Sequence, residues 1–314
     1  MTVLIVDGGG TKTRGWLIKR SENGSAAPED VVTVDVGPTS FGAVGAEGVA
    51  AALRDLKSRL PGTTAPVSVV LGLAGVGRKP ERDAALGAAT QVFAGSEVSV
   101  ITDAELAYRG AFADGRHGIL LITGTGTIAL YRAPISHEFT RAGGWGPLLG
   151  DEGSGAWLGR EALRHCLLEW ERDELSPLHA AVLEALEIEL ASQILTKVYK
   201  EGLGPSGWAK LAPLVFRYVR EDLGAFKIMN RAAIELVSLA GRLQETLLPE
   251  AQNVPLVVIG GLWEHRYHLQ PLMEEEIRLR NLPFVFAEPS GGPMEGGLLF
   301  LQEWGRTHTE SRGI

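Results

Sequence analysis

Short apolar runs separated by glycine-rich turns dominate the first third of the chain. Residues 3–6 (VLIV) have the length and β-branched composition of a buried strand, and residues 15–18 form a second strand after the turn DGGGTKT. The sequence predicts further strands at 31–36, 67–73 and 98–101, and helices at 44–60 and 104–112. Three meandering strands followed by alternating helices and strands indicate an α/β domain with a mixed sheet.

The order of strand, Gly/Thr turn and strand returns at residue 119. There, ILLI and IALY enclose the turn TGTGT of residues 123–127, as VLIV and GWLI enclose the first turn. Two copies about one domain length apart predict two similar halves whose loops face each other across a cleft. Beyond them the sequence predicts a largely helical stretch at 156–248 broken at 202–205, strands at 254–259 and 283–286, and a final helix at 298–304.

Both Gly/Thr turns are candidates for binding phosphate groups. Glycines let the backbone approach a ligand closely and direct its N–H groups into a concave turn that accepts anions. Asp7 stands at the end of the first strand, where it could hold a metal-bound water. The alternative is an ordinary glycine-rich hairpin with an exposed lysine. The candidates in the first turn are Gly9, Gly10, Thr11, Lys12 and Thr13.

Asp103 is the best candidate for a catalytic base. It follows a predicted strand and opens a predicted helix, a place where α/β enzymes put functional groups. The helix N-terminus favours the ionised carboxylate, which is the form that accepts a hydroxyl proton. The alternative is that Asp103 only caps its helix.

A second glycine-rich loop, GGWGPLLGDEGSG at 143–155, carries an aromatic residue and two acids. Trp145 has little local core to fill, so it could form a flat apolar wall for a ring-shaped ligand. Asp151 and Glu152 could accept hydrogen bonds from neighbouring hydroxyl groups. The alternative is a hinge loop whose Trp packs between domains and whose acids cap the following helix. Gly260 and Gly261 end a predicted strand and could lie against a nucleoside, or form a plain turn.

Composition and charge exclude several classes of function. The chain has 314 residues, with 45% hydrophobic and 22% charged, as expected for two globular domains. Its net charge of −8 argues against a nucleic-acid surface. Cys166 is the only cysteine, so one chain can form no disulfide and no cysteine-based cluster. No apolar run approaches ~20 residues and the chain starts directly with a strand, so we expect a cytoplasmic protein without a membrane partner.

Five motifs in this order resemble the N-acetylglucosamine kinase group: DGGGTKT, ITDAELA, ITGTGT, GGWGPLLGDEGS and VVIGGLW. This group belongs to the BadF/BadG/BcrA/BcrD ATPase-like branch of the sugar kinase/Hsp70/actin superfamily. The resemblance covers nearly the whole chain. It implies an α/β protein of two ribonuclease-H-like domains, each with a mixed sheet flanked by helices, which close over ATP–Mg²⁺ and a sugar.

The resemblance also implies roles for single residues. Asp103 matches the base that deprotonates the acceptor hydroxyl for attack on the γ-phosphate, and Asp7 and Asp103 are the metal candidates. The two phosphate loops and the adenosine motif match Gly9, Gly10, Thr11, Lys12, Thr13, Thr125, Gly126, Thr127, Gly260 and Gly261. The implied sugar contacts are Thr39, Ser40, Ala74, Asp103, Thr125, Gly144, Trp145 and Asp151.

Two departures from the family pattern bear on the substrate. The family often has asparagine where this chain has Ser40, and some relatives have serine where this chain has Ala74. Both changes remove hydrogen-bonding reach. The resemblance implies phosphorylation of an amino sugar, with N-acetylglucosamine at its 6-hydroxyl as the first expectation. The two departures leave glucosamine or another amino sugar open.

The expected domains are 1–115, completed by a C-terminal helix at about 296–314, and 116–295 with a helical insertion. Hinges are expected near 114–115 and 291–297. A homodimer is an open option. An ATPase activator of the related branch would need cysteines for its cluster, and a non-catalytic sensor would lack the base, so both are weaker alternatives.

Overall fold

The computed structural model describes residues 2–19, 31–62, 66–134, 136, 138–248 and 250–310. The chain divides into a first unit, Met1–Arg116 with Pro289–Ile314, and a second unit, His117–Glu288. The sequence placed the two crossings after residues 115 and 295. In the structure the chain returns to the first unit at Pro289, before residue 295, because Ser290 N–H donates to Ala111 O at 3.0 Å. The last four residues of the expected C-terminal helix lie outside the described residues.

The strands and helices follow in chain order. The strands are β1 (Thr2–Gly8), β2 (Thr13–Lys19), β3 (Val31–Val36), β4 (Ser68–Leu73), β5 (Glu97–Thr102), β6 (Ile119–Thr123), β7 (Thr127–Arg132), β8 (Phe139–Gly143), β9 (Val254–Ile259) and β10 (Phe284–Ala287). The helices are α1 (Phe41–Arg59), α2 (Lys79–Val92), α3 (Asp103–Ala111), α4 (Gly155–Glu171), α5 (Pro177–Ala185), α6 (Ile194–Tyr199), α7 (Pro205–Ala209), α8 (Ala212–Tyr218), α9 (Leu223–Leu247), α10 (Arg266–Leu279) and α11 (Pro293–Glu310).

The first sheet has the strand order β3-β2-β1-β4-β5. Pairing is antiparallel among β1, β2 and β3, and parallel from β1 to β4 and from β4 to β5. Both faces are covered: Leu4 and Val6 pack in the core with α1 and α2, whereas Val3 and Ile5 pack in the core with α3 and α11. Burial on both faces explains why β1 reads as a continuous apolar run.

The second sheet repeats the plan with the order β10-β9-β6-β7-β8. Pairing is antiparallel among β6, β7 and β8, and parallel from β6 to β9 and from β9 to β10. The predicted internal repeat is therefore present as two sheets of one topology. The sequence did not predict β8, because FTRAG is an edge strand with an exposed, polar middle and no apolar run.

Helices α4 to α9 form the long insertion of the second unit. They pack with one face of β6, β7 and β9 around one apolar core that includes Leu121, Leu158 and Val237. Loops interrupt this stretch at several more places than the single break predicted at 202–205. In the described part of the chain, the helices fall short of the length and apolar content needed to cross a bilayer.

Candidate functional site

Three loops of the first unit meet at the carboxyl ends of β1 and β4. Ala74 N–H donates to Gly8 O, and Phe41 N–H donates to Ala74 O, both at 2.8 Å. Gly9 O accepts from the N–H groups of Thr39 and Ser40, at 3.2 and 3.1 Å. The predicted phosphate turn and the predicted sugar positions Ser40 and Ala74 therefore share one hydrogen-bonded surface.

Thr13 and Thr39 hold two of these loops together from inside. Their hydroxyl oxygens lie 2.8 Å apart and both residues are fully buried. Gly8 leaves the room for this contact, since a Cβ on it would lie 2.0 Å from Thr39 Oγ1. Each hydroxyl therefore has a partner within the protein, and the ligand contacts expected of Thr13 and Thr39 stay predictions.

The tip of the first turn remains exposed. Gly9 N–H donates to Lys12 O at 3.1 Å, so this group closes the hairpin instead of pointing at a ligand. Gly10, Thr11 and Lys12 lie on the surface beyond it. Phosphate contacts from this turn would therefore come from these three residues.

Asp103 is the first residue of α3, directly after β5. The helix is capped by Thr102, whose Oγ1 accepts from Glu105 N–H at 3.0 Å while Glu105 Oε2 accepts from Thr102 N–H at 3.2 Å. The alternative in which Asp103 only caps the helix is therefore wrong. Its own Oδ1 accepts from Ala104 N–H at 2.9 Å, which orients the carboxylate.

Asp7 and Asp103 are half-buried carboxylates of the first unit, and the charge of Asp103 acts on Asp7. Burial raises the pKa of Asp103, and the N–H of Ala104 opposes the rise without cancelling it. The helix N-terminus, which we expected to favour the ionised carboxylate of Asp103, is thus outweighed by the burial of this group. Burial, and then the charge of Asp103, raise the pKa of Asp7 to about 6, although Arg14 and Lys12 lower it.

The sheet register brings these two residues to the same end of the sheet. Asp7 pairs with Gly72 of β4, and Gly72 pairs with Ile101 of β5, two residues before Asp103. Gly72 has no side chain, and a Cβ there would lie 2.5 Å from a methyl group of Leu106. The strand between the two acids therefore places no side chain between them.

The two carboxylates suit a hydrated divalent cation. No cluster of three or more His, Cys, Asp or Glu residues that could hold a metal occurs in the described ranges. Mg²⁺ commonly keeps several waters and takes only one or two carboxylates plus phosphate oxygens. Burial first, and the charge of Asp103 second, raise the pKa of Asp7, and a bound cation would stabilise the ionised form of this carboxylate.

In the second unit, the turn after β6 is joined to the loops before α4. Gly155 and Ala156 N–H donate to Gly124 O and Thr125 O, at 2.8 and 3.2 Å. Gly144 N–H donates to Thr127 O at 2.9 Å. These bonds bring the predicted phosphate residues 125–127 and the predicted sugar loop into one group.

Asp151 links the same two segments through its side chain. Its carboxylate accepts from the N–H groups of Thr127 and Gly146, and burial nevertheless raises its pKa. The residue is 6% exposed and has a φ of 59°, a conformation that costs energy outside glycine. A Cβ on Gly126 would lie 2.6 Å from Asp151 Oδ2. Among the described residues, Asp151 Oδ1 is buried without a hydrogen-bond partner, as are the hydroxyls of Thr123 and Thr127.

Trp145 stands out from the loop, with 63% of its surface exposed. The Arg141 guanidinium lies 4.3 Å from the ring centre, and its Nη1 donates to Gly143 O at 2.6 Å. One face of the ring thus lies against a cation, and its role as an apolar wall for a ligand stays a prediction. Sequence reasoning missed Arg141, because its contact depends on β8 and the loop folding back together.

The structure requires glycine at position 260 even without a ligand. Its φ is 109°, and a Cβ would lie 2.3 Å from Thr123 O, so only glycine fits where β9 ends against β6. Gly261 opens a 3₁₀ helix at Gly261–His265 and has open space at its Cβ position. Both predicted adenosine contacts, Gly260 and Gly261, are exposed.

Comparison with known proteins places this chain in a family. The model of the BadF/BadG/BcrA/BcrD ATPase family matches residues 6–282. The chain belongs to this family. An N-acetylmuramic acid/N-acetylglucosamine kinase of Clostridium acetobutylicum is 28% identical over 83% of this chain and 85% of its own length. An N-acetyl-D-glucosamine kinase of Dictyostelium discoideum is 29% identical over 88% of this chain and 90% of its own length.

Solved structures agree on the fold. A protein of Chromobacterium violaceum provisionally named an N-acetylglucosamine kinase superposes with a TM-score of 0.73 at 28% identity, over 96% of this chain and 98% of its own. A ROK family glucokinase from Streptomyces griseus, in complex with glucose and AMPPNP, gives a TM-score of 0.55 at 17% identity, over 96% of this chain and 99% of its own. The predicted family, the two ribonuclease-H-like domains with mixed sheets, and the phosphotransferase class are confirmed.

Proposed function

We propose that this member of the BadF/BadG/BcrA/BcrD ATPase family transfers the γ-phosphoryl group of ATP to a hydroxyl of an amino sugar. The observation that carries the proposal is the pair of half-buried carboxylates Asp7 and Asp103, which lie at the carboxyl ends of the parallel strands β1 and β5 on either side of β4. The kinase names of its curated relatives support the same reaction class.

Asp103 is proposed as the general base. Burial raises its pKa, and a carboxylate with a raised pKa is a better proton acceptor than an exposed one. It would take the proton of the acceptor hydroxyl as the sugar oxygen bonds to the γ-phosphorus and ADP leaves. Its bond from Ala104 N–H fixes the orientation of the carboxylate.

The nucleotide would be held by the exposed turns that follow strands. We assign the phosphates to the exposed Gly10, Thr11 and Lys12 and to the turn at 125–127, and the nucleoside to Gly261. Asp7 and Asp103 would hold Mg²⁺, which supplies neutralising charge at the phosphates when bound. Transfer then depends on alignment and on the exclusion of water, for which the chain provides donors and not a nucleophile.

The sugar is assigned to Asp151, Trp145 and Ser40. Asp151 Oδ1 is a buried acceptor without a partner in the described residues, and a sugar hydroxyl is a donor that would satisfy it. Trp145 offers a ring face to a pyranose. N-acetylglucosamine phosphorylated at its 6-hydroxyl is the first candidate, and glucosamine, N-acetylmannosamine and N-acetylmuramic acid are the others.

Several features of the enzyme's setting remain proposals. A cytoplasmic location suits an ATP-dependent phosphotransferase, and a homodimer can be tested by sedimentation. The ATPase activator is disfavoured because Cys166, the only cysteine, is fully buried in the second unit and burial raises its pKa to about 12.

The test is ADP release with ATP–Mg²⁺ against a panel of these amino sugars and plain hexoses, beside Asp103→Asn. We expect one sugar to stimulate release, and Asp103→Asn to reduce turnover by several orders of magnitude with sugar binding retained. Near-normal turnover in this variant would remove Asp103 as the base. ADP release that no sugar changes would favour the ATPase or sensor alternatives.

A further inference from the structure

The segment that carries Asp103 is contacted on both sides of this residue by the C-terminal helix α11. Trp304 Nε1 donates to Glu97 Oε1 at 3.0 Å, at the start of β5. Arg109 Nη1 donates to Glu303 Oε2 at 2.5 Å, near the end of α3. Asp103 lies between these two contacts, at the junction of strand and helix.

Helices α3 and α11 touch through their backbones. A Cβ on Gly296 would lie 2.1 Å from Leu106 O and 2.8 Å from Gly110 N, and a Cβ on Gly110 would lie 2.0 Å from Gly292 O. Contacts this short exclude a side chain at Gly296 and at Gly110. The distance of α3 from α11 is therefore set by backbone atoms, which yield far less than side chains do.

The ion pair at the other end of α3 is partly buried. Arg109 is 7% exposed and its guanidinium lies 5.3 Å from the centre of the Phe300 ring. An ion pair that joins α3 to α11 restrains rotation of α3, since such a rotation would separate Arg109 from Glu303. Backbone contact and ion pair together fix both the distance and the rotation of α3.

We propose that α11 positions the base: Gly296 and Glu303 are positioning residues that hold α3 where Asp103 can reach the acceptor hydroxyl. The inference rests on the proposed role of Asp103 as the base. It gives the last segment of the chain, which returns only after the whole second unit, a part in the chemical step.

The test compares kcat and KM for N-acetylglucosamine with saturating ATP–Mg²⁺, per folded molecule. Gly296→Ala inserts a methyl group against Leu106 O and displaces α3. Because a misplacement of about 1 Å can cost about 100-fold, we expect kcat to fall by about 10- to 100-fold with KM within about twofold. Gly87→Ala is the matched control, since Gly87 is also helical, in α2, with open space at its Cβ position; its kcat should stay unchanged.

Glu303→Gln keeps the shape of the side chain and covers the case in which Gly296→Ala fails to fold. We expect it to lower kcat by about 3- to 10-fold, beside an unchanged Glu47→Gln on α1. A lowered melting temperature with wild-type kcat in the folded fraction would reduce α11 to a stabilising element and overturn the proposal. Asp103→Asn in the same assay separates the two hypotheses. Wild-type turnover of Asp103→Asn would reject Asp103 as the base. Lost turnover of Asp103→Asn together with normal turnover of Gly296→Ala would reject only the positioning role of α11.

Discussion

Thr13 and Thr39 bury their hydroxyl groups against each other, 2.8 Å apart, between the first turn and the loop that leads into α1. Each is the other's buried partner, and the pair adds a side-chain contact to the backbone hydrogen bonds from Thr39 and Ser40 N–H to Gly9 O. The contact stabilises the loop surface on which Ser40 and Ala74 lie.

Removing one hydroxyl of this pair should cost more than removing both. Thr39→Val leaves the Thr13 hydroxyl buried without a partner, so we expect the free energy of unfolding to fall by about 1 to 3 kcal/mol. The double variant Thr13→Val with Thr39→Val replaces both groups by apolar ones and should lose less. Urea unfolding of the single and double variants measures the difference. Thr90→Val, at an exposed hydroxyl on α2, should change little, and additive losses in the double variant would contradict the paired arrangement.

Asp7 should make the folded protein less stable as the pH rises. Its pKa of about 6 lies above the ~3.9 of an unfolded aspartate, so the folded state binds more protons between these values. Its contribution to the free energy of unfolding therefore falls from about pH 4 to about pH 6. We expect Asp7→Asn to raise the free energy of unfolding by about 2 to 3 kcal/mol at pH 7.5 and by about 0.5 kcal/mol at pH 4. Activity with ATP–Mg²⁺ should fall in the same variant.

The control for this pH effect is Asp83→Asn, which removes an exposed carboxylate paired with Lys79 on α2. It should change the stability by less than about 0.5 kcal/mol at either pH. An equal gain for Asp7→Asn at both values would mean that the charge of Asp7 is not the cause.

Asp151 should affect sugar binding more than stability. Asparagine tolerates its φ of 59° and keeps its shape, but it can present only one acceptor oxygen in place of two. We expect Asp151→Asn to raise the KM for the sugar by about 10-fold, with a small loss of stability. Asp173→Asn is the matched control, because Asp173 is an exposed aspartate of the second unit with a φ of 57°. Sugar kinetics that change alike in both variants would point to backbone conformation as the cause.

Gly260 should tolerate no side chain. Gly260→Ala would force a Cβ to within 2.3 Å of Thr123 O, and we expect a loss of more than about 3 kcal/mol or failure to fold. Gly202→Ala has a similarly positive φ of 75° with open space around it, so it reports the conformational strain alone, about 1 kcal/mol. Thermal unfolding of both separates the clash from the strain; equal losses would mean that the close contact with β6 is relieved elsewhere.

The strands were the most predictable part of this fold. β1 and β6 are buried on both faces, so their apolar runs are continuous and visible in a short window. The edge strand β8 was missed because an exposed edge needs no apolar pattern. The start of α1 was predicted three residues late, since Gly45 adopts a φ of 62° inside it and breaks the helical periodicity.

The sequence by itself determined the duplicated plan, the family and the short list of polar residues at strand ends. These follow from local patterns, because a glycine-rich turn after an apolar run has few other structures to adopt. Only the tertiary structure decided what each listed residue does. It buried Thr13 against Thr39, set Asp7 beside Asp103 across a glycine, and left Asp151 with an unpaired oxygen. Burial and pairing depend on segments distant in the chain, and the protonation and availability of a polar group depend on burial and pairing.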